Sequence, residues 1–530
     1  MTLTRARSAL LALVALGVLA LVVATAATSA SGPKLKNGGT LTIGLAEDPD
    51  ALDPSLARTF VGRIIFLHMC EKLYDLNSKL EIVPQLAASL PTLSADKKTV
   101  TIKLRTGIKF NDGTPFNAAA VKKSLERHQQ LRGSARASEL SPVTGIDTQG
   151  NNAVVLHLND RYSPLTAQLA DRSGMVMSPK ALDALGDKFA TNPVCVGPFQ
   201  FKERQAGDHI TLVKSNDYYN KKNVHLSQIV FKIITDPSAR SSNLRAKSID
   251  VEDRIPSTEL RAIAGDKSLS IIKATSIGYQ GITLNIGNAH GLGKQYETVN
   301  TPIAKSADLR QAFELALDRK VINKVVFGGT TQPDCFPWAP ASPWYQAAKG
   351  LPCHLTADVS AAKAAFAKAG VRAPVTVKLM IGTDPIAARL GQVIQAMEKP
   401  IGFDVELQPT EFTTSLNRAD AGNYDTFAIG WSGRIDPDGN FYQFVNTKGS
   451  QNDSGYSNAT VDRATNNARK AATQQARLVS YRAAIKQILK ALPLIYLYHP
   501  VNRFGVVNNV SGVQVYGDGL IRAQFAGFKS

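Results

Sequence analysis

The sequence predicts an α/β fold, and three observations support this class. Patterns typical of strands and helices alternate near the middle of the C-terminal half, with strands predicted at 375–381, 404–407 and 424–431 and a helix at 386–397. Alternation of this kind is typical of a domain with a largely parallel sheet. The chain has 530 residues, which is enough for two or three domains. The third observation is a stretch in which a strand, a tight turn and an amphipathic helix follow one another.

That stretch is 94–128, and it gives the clearest local prediction. Polar and apolar residues alternate over 99–104, which is the pattern of a half-buried strand. The Asn-Asp-Gly sequence at 111–113 favours a turn, because these residue types tolerate a left-handed backbone. Asn117 is expected to cap the helix that follows, whose apolar residues recur at helical spacing.

Further elements are predicted from the same periodicities. Strands are expected at 40–46, 151–158, 229–234 and 493–498, and helices at 60–74, at 308–321 and between 461 and 492. Ser306 is expected to cap the helix at 308–321. The pair Gly328-Gly329 is expected to end that helical region.

The composition is that of an ordinary globular protein, with 44% hydrophobic and 20% charged residues. The formal net charge is +18. A basic chain raises the question of a nucleic-acid, membrane or acidic-solute partner. Here the lysines and arginines are scattered instead of clustered, and the N-terminus carries an export signal. Both observations argue against nucleic acid and favour a broadly basic, solvated surface.

Residues 1–30 are predicted to be a secretory signal peptide. Two arginines precede an apolar run at 9–24, and small residues follow it, with cleavage expected after Ala26 or Ala30. The alternative is an uncleaved membrane anchor, but the run is slightly short of the roughly 20 apolar residues that a spanning helix needs. No cysteine follows the run to accept a lipid. A soluble periplasmic protein is therefore expected.

The four cysteines of an exported chain raise the question of disulfides. Cys335 and Cys353 bracket a short loop and are the best candidate pair. Closing such a loop would stabilise the fold by about 3 kcal/mol. Cys70 and Cys195 either pair with each other or are buried separately, and the sequence leaves these alternatives open.

Catalytic and metal-binding patterns were sought and not found in the sequence. The eight histidines are isolated and none lies in a metal-ligand motif, so neither a metal site nor a cofactor is predicted. The segment 430–434 is not a nucleophile elbow, because Arg434 stands where glycine would be needed. Asp436 and Asp438 flank a proline and are interpreted as turn residues instead of an acid–base pair. The chain is therefore predicted not to be an enzyme.

One run of residues carries a specific family resemblance. Residues 104–127, LRTGIKFNDGTPFNAAAVKKSLER, closely resemble the segment that marks family 5 solute-binding proteins of ABC importers. These are the large oligopeptide-, dipeptide- and nickel-binding proteins. Similar blocks occur in the family's order at 47–54, 71–74, 192–201 and 217–219. The resemblance therefore covers essentially the whole mature chain.

The resemblance implies the two-lobed periplasmic-binding-protein fold of the enlarged type II, with an extra subdomain inserted in the N-terminal lobe. The expected divisions are lobe I from 31–77, 197–298 and 492–530, the inserted subdomain from 78–196, and lobe II from 299–491. Lobe I is then discontinuous and is completed by the C-terminus.

The resemblance also implies a ligand site in the loop 430–438. Trp431 is expected to form one aromatic wall of the cleft and Phe60 the other. In peptide-binding relatives the Gly-Trp loop often provides an Asp that pairs with the peptide amine, but this chain has Arg434 there. An arginine cannot accept a hydrogen bond from an ammonium group, so Arg434 is predicted to read an anionic group, with Asp436 in the same site. The alternative is that Arg434 pairs with Asp436 and only shapes the loop.

The implied function is the solute-binding component of an ABC importer. It captures a peptide-like or other small polar or anionic solute by lobe closure and delivers it to the transmembrane permease subunits. It is expected to act as a periplasmic monomer without a cofactor. A binding protein for chemosensing or a chaperone on the same fold is the first alternative, and a secreted hydrolase is the second. Nickel transport ranks below peptide-like ligands, because the chain has no histidine cluster.

Overall fold

The computed structural model describes residues 34–530, and the predicted signal peptide lies outside them. The α-helices of this part of the chain are α1 (Phe60–Met69), α2 (Ala118–Gln130), α3 (Ala137–Leu140), α4 (Leu165–Gln168), α5 (Pro179–Leu185), α6 (Pro237–Arg245), α7 (Leu260–Gly265), α8 (Pro302–Lys305), α9 (Ala307–Ala316), α10 (Arg319–Phe327), α11 (Val359–Lys368), α12 (Pro385–Glu398), α13 (Phe412–Asp420), α14 (Asp438–Val445), α15 (Ala459–Lys470) and α16 (Gln474–Ala491). Within the described chain, no helix combines the length and the apolar character that a bilayer-spanning helix needs.

The strands form two large sheets and four small ones. They are β1 (Thr40–Leu45), β2 (Tyr74–Leu76), β3 (Ile82–Pro84), β4 (Thr92–Leu93), β5 (Thr99–Lys103), β6 (Val143–Thr148), β7 (Ala153–Leu158), β8 (Phe199–Gln205), β9 (His209–Lys214), β10 (Gln228–Ile233), β11 (Val251–Glu252), β12 (Leu269–Thr275), β13 (Tyr279–Leu284), β14 (Gln332–Pro333), β15 (Val375–Ile381), β16 (Phe403–Pro409), β17 (Thr426–Trp431), β18 (Leu494–His499), β19 (Val501–Val507), β20 (Val510–Ser511), β21 (Gln514–Val515), β22 (Ile521–Arg522) and β23 (Gly527–Phe528). Lobe I is the part of the protein that is built on the seven-stranded sheet. The strand order of this sheet is β12-β19-β11-β1-β10-β9-β8. Lobe II is built on the six-stranded sheet, in the order β14-β18-β13-β17-β15-β16.

Both large sheets are mixed, which differs from the largely parallel sheet that the sequence predicts. Strand β1 runs parallel to β10 and β11, and β15 runs parallel to β16 and β17. The other neighbours are antiparallel, including β8 with β9 and β9 with β10. Residues 206–208 alone connect β8 to β9, and so short a connection permits only antiparallel pairing.

The chain crosses between the lobes at two points that lie side by side. Residues 276–278 separate β12 from β13, and Pro500 alone separates β18 from β19. The backbone N–H of Ser276 donates to the carbonyl oxygen of Pro500 at 3.0 Å. Strands β13 and β18 therefore belong to the sheet of lobe II, although the predicted boundaries at 298 and 491 assign them to lobe I. A strand pattern alone does not reveal which sheet a strand joins.

The stretch 94–128 forms the strand, turn and helix that its pattern predicts. Strand β5 buries Val100 and Ile102 in a four-stranded sheet with the order β4-β5-β7-β6. The side chain of Asn117 accepts a hydrogen bond from the N–H of Ala120 at 3.0 Å and begins α2. A hydrophobic core of its own covers this sheet and consists of side chains between 73 and 196.

Two predicted helices end earlier than their patterns suggest. The helix predicted at 308–321 is interrupted, because Asp318 accepts a hydrogen bond from the N–H of Val321 at 2.8 Å and starts a second helix, α10. Ser306 caps α9 and Gly328 ends α10 in a left-handed conformation, both as expected. The helix predicted at 60–74 stops at Met69, because the next residue is extended.

The residue after Met69 is Cys70, which forms a disulfide with Cys195. This bond answers the question that the sequence left open. The predicted disulfide between Cys335 and Cys353 is present as well. The two bonds close loops of very different length, with sequence separations of 125 and 18 residues.

Because a disulfide stabilises mainly by restricting the unfolded chain, the longer loop should contribute more. We expect replacement of Cys70 and Cys195 by alanine to lower the free energy of unfolding by about 4–5 kcal/mol, and replacement of Cys335 and Cys353 by about 3 kcal/mol. Urea unfolding of the two double variants under oxidising conditions measures both. Equal losses would contradict the loop-length argument.

Candidate functional site

The loop 430–438 connects β17, an inner strand of the lobe II sheet, to α14. Strand β17 ends at Trp431, which pairs in register with Tyr279 at the start of β13. Gly433 has φ +85°, and a Cβ at this position would lie 2.6 Å from the backbone nitrogen of Gly278. Only glycine allows this close approach. The loop is therefore held directly against the first crossing between the lobes.

A cavity of about 720 Å³, which we call the cleft cavity, opens beside this loop. Its aromatic lining comes from Phe60 of lobe I and from Tyr279, Phe412, Trp431 and Phe444. Trp431 and Phe444 meet edge to face, with ring centroids 5.0 Å apart. The two residues predicted as aromatic walls, Trp431 and Phe60, thus line the same cavity.

Several polar atoms beside these rings have no partner in the described chain. The indole Nε1 of Trp431, the amide Nε2 of Gln451 and the carboxylate Oδ1 of Asp453 are buried without a hydrogen bond. All three residues line the cleft cavity. A buried polar group without a partner costs about 1–3 kcal/mol. The cavity is therefore suited to a solute that supplies two acceptors and one donor.

One cation and two carboxyl groups lie beside the cleft cavity, and two of the three residues, Arg58 and Asp453, line it. Arg58 Nη1 lies 2.5 Å from both carboxylate oxygens of Asp420, and Arg58 Nη2 lies 3.7 Å from Oδ2 of Asp453. Burial raises the pKa of Asp453 to about 7; Arg58 opposes the shift and Asp420 adds to it. With both carboxyl groups ionised, the three side chains carry one net negative charge.

Arg434 lies behind Trp431 and outside the lining of the cleft cavity. Its guanidinium carbon is 4.3 Å from the centroid of the indole ring. Its Nε lies 2.7 Å from Oδ2 of Asp171, a residue of the segment between α4 and α5. Arg434 therefore does not form the alternative pair with Asp436 that the sequence suggested.

Asp436 pairs with a different arginine. Arg477 of α16 donates from both terminal nitrogens to the two oxygens of Asp436, at 2.6 and 2.7 Å. Asp436 also accepts from the N–H of Asp438 at 2.9 Å, as its interpretation as a turn residue requires. Asp438 forms a similar buried pair with Arg469. The two carboxylates thus fasten the loop to the last two helices of lobe II, and neither lines the cleft cavity.

The sequence analysis missed most of the polar residues of the site. Arg58, Gln451 and Asp453 lie in segments without a motif, and Asp171 follows a short helix. The only signal for Asp453 is its place in the turn-rich stretch QNDSG, which predicts a loop but no contact partner.

A family model described as bacterial extracellular solute-binding proteins, family 5 middle, matches residues 81–453. This span covers most of the chain. The chain belongs to this family. The membership agrees with the two-lobed fold and with the motif at 104–127 that led to the prediction.

Curated relatives and solved structures point to the same family 5 fold. The probable D,D-dipeptide-binding periplasmic protein DdpA of Escherichia coli K12 is 26% identical over 89% of this chain and 90% of its own. The glutathione-binding protein GsiB of Salmonella paratyphi A is 25% identical, and the match spans 55% of each chain. The structure of AgaA from A. tumefaciens R10 in complex with agropinic acid has a TM-score of 0.82 and 25% identity, covering 93% of this chain and 98% of AgaA.

These findings confirm the fold and the role of the protein as a substrate-binding component of an ABC importer. The relatives are binding proteins and not enzymes. DdpA is a periplasmic protein, as its name states.

The placement of Asp436 gives a prediction that separates structure from ligand binding. Asp436→Asn leaves the buried guanidinium of Arg477 without its counter-charge, which costs about 3–5 kcal/mol of unfolding free energy. Solute affinity should not change, because Asp436 does not line the cleft cavity. Urea unfolding and calorimetric titration measure the two quantities.

Asp183→Asn is the matched control for this variant. Asp183 pairs with Lys123 at the surface, and its side chain is 71% exposed. Loss of the ion pair between Asp183 and Lys123 should lower the free energy of unfolding by less than about 1 kcal/mol. A reduced affinity in Asp436→Asn would instead place Asp436 in the ligand site, as the sequence analysis expected.

Proposed function

We propose that this protein captures a small peptide-like or otherwise polar solute in the cleft cavity and delivers it to the membrane permease of an ABC importer. The names of the relatives support the solute class, since they bind a D,D-dipeptide, glutathione and agropinic acid. The observation that carries the proposal is the set of unpaired polar atoms beside aromatic rings in one cavity between the lobes.

The chemistry of the cleft cavity favours a solute with a protonated amine. Asp453 presents an unpaired carboxylate oxygen, and the group of Arg58, Asp420 and Asp453 has one net negative charge when ionised. An ammonium group has three donors and would satisfy this oxygen. The proposed amine contact therefore comes from Asp453, while Trp431 and Phe60 enclose the apolar part of the solute.

We further propose that the protein works in the periplasm after its signal peptide is removed, as a monomer that docks on the permease subunits. The periplasmic names of the relatives support this location. Lobe closure about the two adjacent crossings is expected to bury the solute. A chemosensory or chaperone role on the same fold would involve the same cavity but no dependence of uptake on this protein.

A thermal-shift screen of the mature protein tests the solute class. It includes di- and oligopeptides, glutathione-like peptides, organic acids, sugars and nickel chelates. A solute at 100 times its dissociation constant should stabilise the folded state by about 2.7 kcal/mol. We expect compounds with a free amine to give the largest shifts. Stabilisation by sugars alone would contradict the proposed class.

Trp431→Ala should weaken binding of the solute found in that screen by at least about tenfold, or about 1.4 kcal/mol. The variant loses both the aromatic wall and the unpaired indole donor. Trp344→Ala is the matched control, because Trp344 stacks on Arg477 away from the cleft cavity. Calorimetric titration measures both variants. Equal losses in the two variants would show that Trp431 has no special role.

The raised pKa of Asp453 gives a pH prediction with a defined sign. Its folded pKa of about 7 exceeds the ordinary value of 3.8, so the folded state holds this proton more tightly than the unfolded state. The stabilisation is therefore complete below pH 4 and is lost as the pH rises through 7. Between these values the unfolding free energy of the wild type should fall relative to that of Asp453→Asn. The affinity for an amine should change in the opposite direction to the unfolding free energy. It should increase as the pH rises through 7 in the wild type, and not in Asp453→Asn.

A further inference from the structure

A second cavity of about 430 Å³ lies on the other side of the loop that carries Trp431. We call it the arginine cavity. Arg63 of α1 and Arg434 line it, and both approach Asp171, with Nη2 of Arg63 at 2.8 Å and Nε of Arg434 at 2.7 Å from Oδ2. The three residues come from lobe I, the loop of lobe II and the segment between α4 and α5.

The charges around this cavity do not balance. Lys72 and Asp518 also line it, but Asp75 neutralises the lysine at 2.5 Å and Arg522 forms a two-bonded pair with Asp518. Among residues 34–530, Asp171 is the one carboxylate within ion-pair distance of Arg63 and Arg434.

A third arginine adds to the imbalance. Nε of Arg172 lies 3.8 Å from the carboxylate of Asp171. Behind it, Arg136 and Glu139 form a neutral buried pair at 2.5 Å. Three buried guanidinium groups thus face one carboxylate, an excess of two positive charges in the described residues. Burial alone would raise the pKa of Asp171, but Arg434, Arg63 and Arg172 outweigh it and hold that pKa well below its usual range.

Donors in this cluster also lack acceptors. Nη2 of Arg434 and Nε of Arg63 have no hydrogen-bond partner within residues 34–530. Both residues line the cavity and are more than nine-tenths buried, with exposures of 8% and 5%. Burial, and after it the repulsion from Arg63, lower the pKa of Arg434 to about 9, so its charge is poorly compensated.

We propose that the arginine cavity is an anion site that takes a single carboxylate between Arg63 and Arg434. A carboxylate matches the planar fork of a guanidinium and would supply acceptors for the unpaired N–H groups. The arginine cavity is separate from the cleft cavity. A free anion there goes beyond the proposed function, whereas a carboxylate of the captured solute rests on it.

The carboxylate has two possible sources. It is either a free small anion, or a group of the solute that reaches past Ser432, which lines the cleft cavity and accepts from Arg63 at 3.2 Å and from Arg434 at 3.4 Å. The second source would retain the predicted role of Arg434 as reader of an anionic solute, with Arg63 as its partner.

Two titrations separate these sources. In the first, sodium acetate is added to purified wild type, Arg434→Gln and Arg389→Gln, and the melting temperature is followed. Arg389 is exposed, and the Arg389→Gln substitution removes the same charge as Arg434→Gln at a different place. This variant therefore controls for general salt effects. In the second, the affinities of alanyl-alanine and alanyl-alanine amide are compared by calorimetry. The two dipeptides share the amine and differ in the carboxylate.

For a free anion, we expect acetate to stabilise wild type and Arg389→Gln but not Arg434→Gln. For a solute carboxylate, we expect alanyl-alanine to bind wild type at least about tenfold more tightly than its amide, with a ratio near one in Arg434→Gln. Arg434→Lys keeps the charge beside Asp171 and guards against misfolding of the glutamine variant. The Arg434→Lys variant should respond in the same titration as the wild type, but more weakly.

No difference between wild type and either Arg434 variant in both titrations overturns the anion site. The acetate titration requires no solute, so it decides for a free anion even where neither dipeptide binds. Equal binding of dipeptide and amide without an acetate response overturns the inference and leaves the proposed function intact. Failure of every compound in the solute screen would instead count against the proposed function.

Discussion

The structure depends on one buried carboxylate, that of Asp171, which joins parts of the chain that are remote in sequence. Arg63 comes from α1 of lobe I, and Arg434 comes from the loop beyond the lobe II sheet. A buried charge is costly unless it is paired, so these groups must meet for any of them to be accommodated. Because Arg434 also stacks on Trp431, the same interaction sets the position of the aromatic wall of the cleft cavity.

The crossings between the lobes explain how a cavity can form around a solute without disturbing either core. Only residues 276–278 and Pro500 connect the paired strands, and a hydrogen bond joins the two segments. A short double connection permits rotation of one lobe against the other while both sheets remain intact. Gly433 packs against Gly278 at this place, so the loop 430–438 is fixed to the crossing.

The sequence is sufficient for the family and the class of fold, because these depend on local periodicity and on motifs. It was not sufficient for the sheet order, since β13 pairs with β17 and β18, which lie far along the chain. The same limit applies to charges. A lone Arg58 or Asp453 has no pattern, and its partner is known only when the chain is folded. For the same reason the sequence predicts Asp436 in the ligand site but does not reveal its pair with Arg477.

The two cavities on either side of Ser432 differ in the sign of their surplus charge. On the cleft side, Asp420 and Asp453 outnumber Arg58, and on the other side three arginines face Asp171. A hydroxyl group can both donate and accept a hydrogen bond. Ser432 can therefore lie between a cavity with surplus negative charge and a cavity with surplus positive charge. If one solute reached both cavities, charges of opposite sign at its two ends would orient a zwitterion and disfavour the reversed orientation. Arg434 in place of an amine-binding aspartate is therefore compatible with the proposed amine contact at Asp453.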